Sequence, residues 1–255
     1  MTTHSDNNLN FSKSPSINES ELEKFLKMAD TWWDPDGPFK PLHLINPIRM
    51  EYIQKCLILH FNKDANATSP LKGLKILDLG CGGGLLSEPL AKLGATITGV
   101  DAIEKNIRIA TLHAKQEQLD IDYRFTTAEG LAKTGVKFDI IINMEVIEHV
   151  EDVGSFLKSC RQLIKSDGLM MISTLNKTVK SYLGAIIGAE YILGWLPKGT
   201  HDWNKFLKPS EFSHHLVDAG FSLEDIIGLE FHPLKNKWSL GPNTSINYLG
   251  YAQPN

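Results

Sequence analysis

Apolar and polar positions follow two rhythms along the chain, and the change falls near Leu74. From there onward, short apolar segments alternate with longer segments that favour helices. The apolar segments predict strands at 74–80, 95–101, 121–126, 138–144 and 168–174. Helices are predicted at about 84–93, 103–118 and 152–165, and another begins after Pro209. This alternation is typical of an α/β fold with a doubly wound, mostly parallel sheet.

The N-terminal part predicts a helical cap over residues 19–61 in place of sheet strands. Its first helix is expected at 20–33. A connector with four prolines follows, and a second helix is expected from near Pro47 to about His60. The first 18 residues are polar and lack an apolar run, so we expect a disordered tail there.

Two segments interrupt the alternation in the C-terminal part. The strands predicted at 221–231 and 245–252 have no helix between them, which favours an antiparallel pair at one sheet edge. Residues 176–208 form a connection much longer than usual after the fifth strand. Its apolar centre is too short to span a bilayer and is bordered by lysines. We expect a lid that touches the membrane surface through about residues 178–200, with a helical hairpin covering the core as the alternative.

Composition limits the partners and the compartment. The 255 residues include 26 Lys and Arg against 30 Asp and Glu, a formal net charge of −4. This argues against a protein built to bind polyanions, so we expect no nucleic-acid partner. The three cysteines lie far apart and favour a reducing compartment without a disulfide scaffold. Because the N-terminus lacks the apolar run of a signal peptide, we expect a cytoplasmic protein that contacts the inner membrane face peripherally.

The most specific motif is DLGCGGG at 78–84, between a predicted strand and a predicted helix. Ligands of open α/β sheets bind at this edge, and glycines let the backbone approach them. A dinucleotide fingerprint, G-x-G-x-x-G, would need glycine at position 85, where this chain has Leu85, so NAD is disfavoured. Gly80, Gly82 and Gly84 instead match the G-x-G-x-G loop of S-adenosylmethionine (SAM) enzymes. Asp101 ends the second strand, where a carboxylate can accept the ribose hydroxyls.

An acidic cluster, MEVIEHV at 144–150, follows the fourth strand. On a helical turn, Glu145, Glu148 and His149 could converge. Two carboxylates and an imidazole suit Mg²⁺ or another divalent ion. A metal, or His149 as a base, would raise the ionised fraction of a phenol, whose pKa is about 10. The alternative stays open that Glu148 and His149 orient the loop while Glu145 hydrogen-bonds the backbone.

Four segments resemble the ubiquinone-biosynthesis O-methyltransferase family, a group of class I SAM-dependent methyltransferases. They are TWWDPDGPFKPLHLINPIRMEYI (31–53), MEVIEHV (144–150), GAEYILGWLPKGTHDWNKFLKP (188–209) and LGPNTSINYLGYA (240–252). The likeness extends from about residue 22 to the end, with departures at the 62–70 linker and at LEFHP (229–233). It implies one methyltransferase domain over 19–255, with a Rossmann-like sheet of seven strands whose last strand is antiparallel.

The resemblance implies SAM-dependent methylation of polyprenylated phenols and catechols, both at an early polyprenyl-hydroxyphenol step and at the later 3-demethylubiquinol step. Arg49 would pair with the methionine carboxylate of SAM, and Met144 would pack against its adenosine. With the glycine loop, the expected cofactor contacts are Arg49, Gly80, Gly82, Asp101 and Met144. The expected metal contacts are Glu145, Glu148 and His149, of which Glu145 and His149 are also the catalytic candidates. Other enzymes of the same pathway are expected partners.

Two further functions stay open at this point. The ExxEH cluster also resembles the metal site of small-RNA 2′-O-methyltransferases, although the net charge of −4 counts against an RNA substrate. A non-catalytic subunit that binds SAM or a lipid would keep the same glycine loop.

Overall fold

The computed structural model describes residues 14–18, 23–24, 26, 28–182, 202–232 and 237–255. An eight-stranded sheet runs through this part of the chain in the order β3-β2-β1-β4-β5-β8-β6-β7. Its strands are β1 (Lys75–Leu79), β2 (Thr96–Asp101), β3 (Asp122–Phe125), β4 (Phe138–Met144), β5 (Ile164–Leu175), β6 (Phe221–His232), β7 (Lys237–Gly241) and β8 (Asn247–Pro254).

Helices connect most of these strands and cover both faces of the sheet. They are α1 (Lys40–His60), α2 (Ser87–Lys92), α3 (Glu104–Gln116), α4 (Ala128–Ala132), α5 (Val153–Leu163), α6 (Val179–Ser181) and α7 (Pro209–Asp218). Short 3-10 turns are found at Ala29–Thr31, Ile147–His149 and Trp203–Lys205.

The mostly parallel sheet confirms the predicted fold class. The pairs β1–β2, β1–β4, β2–β3 and β4–β5 are parallel, whereas β8 lies antiparallel between β5 and β6. Because two antiparallel pairings restore the original direction, β6 ends at the same sheet edge as β1, β4 and β5. Every functional group discussed below lies near this carboxyl edge.

The expectation of seven strands was wrong, because the sheet has eight. The additional strand is β7, which pairs antiparallel with β6 from Gly228↔Gly241 to His232↔Lys237. It lies at the end of the sheet, beyond the β8–β6 pair that the sequence predicted.

The N-terminal part differs from its prediction where its long helix begins. Helix α1 begins at Lys40, well before Pro47, and carries Pro47 inside it. An internal proline removes one helical hydrogen bond, but the burial of Ile53, Leu57 and other apolar residues of this helix holds it against the sheet. Residues 14–18, at the end of the expected tail, make hydrogen bonds with the rest of the domain.

The core is divided by the sheet into two layers, as the doubly wound topology requires. One layer lies between the sheet and helices α5 and α7 and includes Leu77, Ile141, Phe156, Phe212 and Tyr248. The other lies between the sheet and helices α1 and α2 and includes Ile53, Leu57, Leu90, Ile142 and Leu249.

Across the described residues, every helix is too short or too polar to cross a lipid bilayer. Most of the predicted membrane-contact segment, from residue 183 to its end, lies outside the described residues.

Candidate active site

A cavity of about 460 Å³ opens at the carboxyl edge of the sheet and extends across both of its halves. The volume is in the range of small-molecule sites. Its centre is the switch point between β1 and β4, where open α/β sheets bind their ligands. Of the predicted site residues, those that line it are Arg49, Gly80, Gly82, Asp101, Met144, Glu145 and His149.

The glycine loop after β1 forms one side of the cavity. Gly80 and Cys81 donate backbone hydrogen bonds to the Val100 carbonyl at 2.8 and 3.0 Å, which fixes the loop against β2. Gly82 has a φ of 53°, and a Cβ there would overlap the Trp32 ring. Glycine is therefore needed at this position for both its conformation and the close approach of Trp32.

Trp32 was not among the predicted site residues, yet its ring packs against the glycine loop at Gly82. Its indole N–H donates to Asn106 Oδ1 at 2.9 Å, and its ring stacks on Phe39 with a centroid distance of 3.7 Å. Asn106 in turn donates from Nδ2 to Asp101 Oδ1 at 3.2 Å. The N-terminal segment is thus connected to the end of β2 through a buried polar chain.

Asp101 holds the loop and the following helix together. Its Oδ2 accepts from the Gly82 N–H at 2.9 Å, and its Oδ1 accepts from the Ile103 N–H at 2.8 Å in addition to Asn106. Burial raises the pKa of Asp101 to about 6, and these three donors limit the rise. A carboxylate has about four acceptor positions, so one remains for a ligand hydroxyl.

A second buried carboxyl, Asp78, lies at the end of β1 and also lines the cavity. Burial raises its pKa to about 7, partly offset by the Ser87 hydroxyl, which donates to its Oδ2 at 2.6 Å. The nearby Asp101 charge contributes to the rise. The side of the cavity formed by the glycine loop therefore has two buried acids with pKa values close to neutrality.

Glu145 directly follows β4 and has an uncommon backbone conformation, with a φ of 54°. A non-glycine residue in this region is strained, and such strain is concentrated at functional sites. Ser173 holds the conformation twice, since its carbonyl accepts from the Glu145 N–H at 2.9 Å and its hydroxyl donates to Glu145 Oε1. The turn directs the carboxylate to Arg49, whose Nη2 lies 2.7 Å from Oε1.

Arg49 projects from α1 into the cavity, and its side chain is only 3% exposed. Its contact with Glu145 is an ion pair without a well-aligned hydrogen bond, because neither Nε nor Nη2 has a hydrogen-bond acceptor among the described residues. Buried guanidinium donors without acceptors are costly unless a ligand completes them. A planar anion such as a carboxylate suits this fork.

Glu148 and His149 lie on a 3-10 turn, and their side chains separate. His149 lines the cavity, whereas Glu148 does not. Glu148 is buried, accepts from the Thr174 hydroxyl at 2.8 Å on Oε2, and has no partner for Oε1 among the described residues. Burial, with the Glu145 charge nearby, holds the pKa of Glu148 well above its usual range.

The predicted three-ligand metal site is not formed by this arrangement. Among the described residues, no three His, Cys, Asp or Glu side chains are placed to share a metal ion. Glu145 faces Arg49, and Glu148 is directed at Thr174. The prediction assumed one helical turn across 144–150, but the strained residue at 145 breaks that turn.

Residues 14–18 cross the open side of the cavity at the end formed by the glycine loop. Ser16 and Asn18 line it, and the Ser16 carbonyl accepts from the Glu151 N–H at 3.0 Å. Ser14 shares a hydrogen bond of 3.1 Å with the hydroxyl of Thr127, which follows β3. This short segment therefore joins the loops after β3 and β4.

Comparison with known proteins gives a consistent result. A family model described as a methyltransferase domain matches residues 52–226. The ubiquinone biosynthesis O-methyltransferase of Parvibaculum lavamentivorans is 51% identical over 238 residues, 93% of this chain and 94% of its own. The mitochondrial ubiquinone biosynthesis O-methyltransferase of Arabidopsis thaliana is 49% identical over 243 residues, 94% of this chain and 76% of its own.

Solved structures support the fold. Magnesium protoporphyrin IX methyltransferase from Synechocystis PCC 6803, with bound S-adenosylhomocysteine (SAH), has a TM-score of 0.61 at 20% identity. The match covers 93% of this chain and 95% of that one. The plantazolicin methyltransferase BpumL, also in complex with SAH, has a TM-score of 0.61 at 19% identity, covering 92% of this chain and 97% of that one.

Fold and family model together define a SAM-dependent methyltransferase. The chain belongs to the ubiquinone-biosynthesis O-methyltransferase family, as 49–51% identity over more than nine-tenths of its length shows. The resemblance seen in the four sequence segments is thereby confirmed.

One consequence of the Trp32 contact can be tested directly. Replacing Trp32 by Phe removes the N–H that orients Asn106 while keeping the ring, and we expect SAM affinity to fall about fivefold, the size of one neutral hydrogen bond. Titration calorimetry with Trp32→Phe, Asn106→Ala and the double variant measures the coupling. Strictly additive losses would show that Trp32 acts independently of Asn106.

Proposed function

We propose that this protein transfers the methyl group of SAM to a phenol or catechol hydroxyl of polyprenylated intermediates in ubiquinone biosynthesis. The two steps are the polyprenyl-hydroxyphenol and the 3-demethylubiquinol methylations. The supporting observation is a cavity with the glycine loop on one side, apolar strand ends on the other, and Glu145 and His149 between them. These features support a proposal in which a cofactor and an aromatic acceptor would lie side by side.

The cofactor would lie over the glycine loop. Backbone groups of Gly80 and Gly82 would face it, and the remaining acceptor position of Asp101 would take a ribose hydroxyl. The guanidinium of Arg49, whose Nε has no acceptor among the described residues, would bind the methionine carboxylate. Met144, buried at the end of β4, would pack against the adenosine.

The chemistry is an in-line displacement at the methyl carbon. The acceptor hydroxyl gives its proton to a base, its oxygen bonds to the methyl carbon, and the carbon–sulfur bond breaks to leave SAH. Glu145 is held by Arg49 and Ser173, so it would position the acceptor hydroxyl while His149 takes the proton. A base is needed because a phenol with a pKa of about 10 is mostly protonated at neutral pH.

A divalent metal at Glu145, Glu148 and His149 is not part of this mechanism. The Glu148 carboxyl accepts from Thr174 and does not line the cavity, and Glu145 already faces a guanidinium, whose positive charge opposes a second cation at the same oxygen.

A transient contact with the membrane surface belongs to the same proposal, because a polyprenylated acceptor resides in the bilayer. The described residues at the start of the 176–208 connection support it. Val179 is 71% exposed and Tyr182 is 44% exposed, beside Lys177 and Lys180. Apolar side chains bordered by lysines suit an anionic lipid surface.

The purified protein is expected to convert SAM and a short-chain prenyl catechol to the methylated product and SAH. Mass spectrometry measures this conversion. His149→Asn should lower kcat about 100-fold at neutral pH, because it loses the base. The loss should shrink near pH 10, where the acceptor ionises unaided. No product from the unaltered protein would overturn the proposed function, and a loss independent of pH would remove His149 from the base role.

A further inference from the structure

Strand β7 borders the cavity at the end farthest from the glycine loop. Phe231 on β6 and Trp238 on β7 both line the cavity, and their ring centroids lie 5.1 Å apart. The opposite side is formed by Pro41, Leu42 and Ile45, near the start of α1. Since α1 packs against β7, these two walls enclose a groove, here called the hairpin groove.

The other residues that line the hairpin groove are also uncharged. None of the described residues that line this end of the cavity carries a charge. Its two amides are engaged with the backbone, since Asn46 donates to the Leu85 carbonyl at 2.7 Å and Asn247 accepts from the Leu229 N–H at 3.1 Å. The surface left for a ligand is therefore aromatic and aliphatic, apart from the Trp238 indole N–H, which has no acceptor among the described residues.

The opposite end of the cavity has apolar side chains such as Trp32 and Leu85, but it also has buried polar groups. It holds the buried carboxyls of Asp78 and Asp101, the amide of Asn106 and the backbone groups of the glycine loop. A hydrocarbon placed there would separate these polar groups from any ligand partner, at a cost of desolvation. An acceptor with its hydroxyl near Glu145 must therefore direct an apolar substituent toward β6 and β7.

We propose that the hairpin groove binds the first isoprene units of the acceptor's polyprenyl tail. This rests on the proposed function and names a subsite within it. The hairpin groove is continuous with the catalytic end of the cavity, so a ring held near Glu145 can place its tail between Trp238 and Leu42. The subsite selects for prenylated over tail-less catechols, because burial of each apolar group adds to the binding free energy.

The test compares two acceptors, farnesyl catechol and 4-methylcatechol, in steady-state kinetics. Trp238→Ala is expected to lower kcat/KM for farnesyl catechol about 10- to 100-fold, mainly through KM, while 4-methylcatechol changes by less than about twofold. SAM affinity should stay the same, since Trp238 lies away from the glycine loop. The matched control is Leu240→Ala, on the same strand and packed on the core but outside the cavity lining. It should leave kcat/KM unchanged for both acceptors.

A second variant approaches the hairpin groove from the other wall. Ile45→Trp should narrow it and exclude farnesyl catechol while leaving 4-methylcatechol turnover intact, and it leaves the β6–β7 hairpin untouched. Equal losses on both acceptors in Trp238→Ala and Ile45→Trp, or an unchanged preference in both, would overturn the proposal. Failure of the unaltered protein to methylate either acceptor would instead overturn the proposed function.

Discussion

Replacing Arg49 by Met is expected to raise the dissociation constant of SAM about 100-fold or more. Among the described residues, the buried guanidinium of Arg49 has two donors without a well-aligned acceptor, so the methionine carboxylate would complete it in a charge-assisted contact. Removing the cation also removes the ion pair of the Glu145 carboxylate, 21% exposed, and leaves no positive charge between it and the carboxylate of SAM. Arg49→Lys keeps the charge but not the fork, and we expect a loss of about tenfold.

Titration calorimetry on the two variants gives these values, and a second ligand provides the control. Methylthioadenosine contains the adenosine and sulfur of SAM but lacks the amino-acid carboxylate. It should bind the unaltered protein and Arg49→Met with similar affinity. A parallel loss for methylthioadenosine would show that Arg49 supports the cavity wall and does not contact the carboxylate.

Much of the sheet could be predicted because its central strands are defined locally. Segments such as FDIIINM, buried on both faces, and the glycine loop after the first strand need no distant partner to be recognised. Strand β7 could not be predicted in this way. KWSLG alternates polar and apolar residues, but it is only five residues long, and it becomes a strand through pairing with β6. The start of α1 was missed because Pro41 was read as a connector residue, although proline is tolerated in the first helical turn.

The site was predicted as a set of residues more successfully than as an arrangement. Seven of the predicted residues line the cavity, since the carboxyl ends of neighbouring strands meet at one edge. The direction of the Glu148 side chain depends on the strained Glu145, which no local pattern announces. The Trp32–Asn106 contact joins positions 74 residues apart, so no local pattern predicts it. The TWWDP segment indicates the family but not this contact.

The second large effect is expected at Asp101, and it depends on pH. Burial places the pKa of Asp101 near 6 in the free protein, and a ribose hydroxyl needs the ionised form as its acceptor. SAM binding therefore favours the ionised form, and affinity should be constant above about pH 7. Below pH 6 it should fall up to tenfold per pH unit, because a proton must be released on binding.

Asp101→Asn is expected to lower SAM affinity about 100-fold at neutral pH, since an amide cannot accept on both sides from Gly82 and Ile103. Its affinity for SAM should then no longer change around pH 6.

The pH dependence of stability distinguishes this effect from unfolding. A carboxyl whose folded pKa is raised costs stability in its ionised form, so acidification from pH 7 to pH 5 relieves that cost at Asp101 while SAM binding weakens. Calorimetric binding and thermal melts over the same pH range should change in opposite directions. Parallel losses would mean that the acid effect comes from unfolding and that Asp101 is not the ribose acceptor.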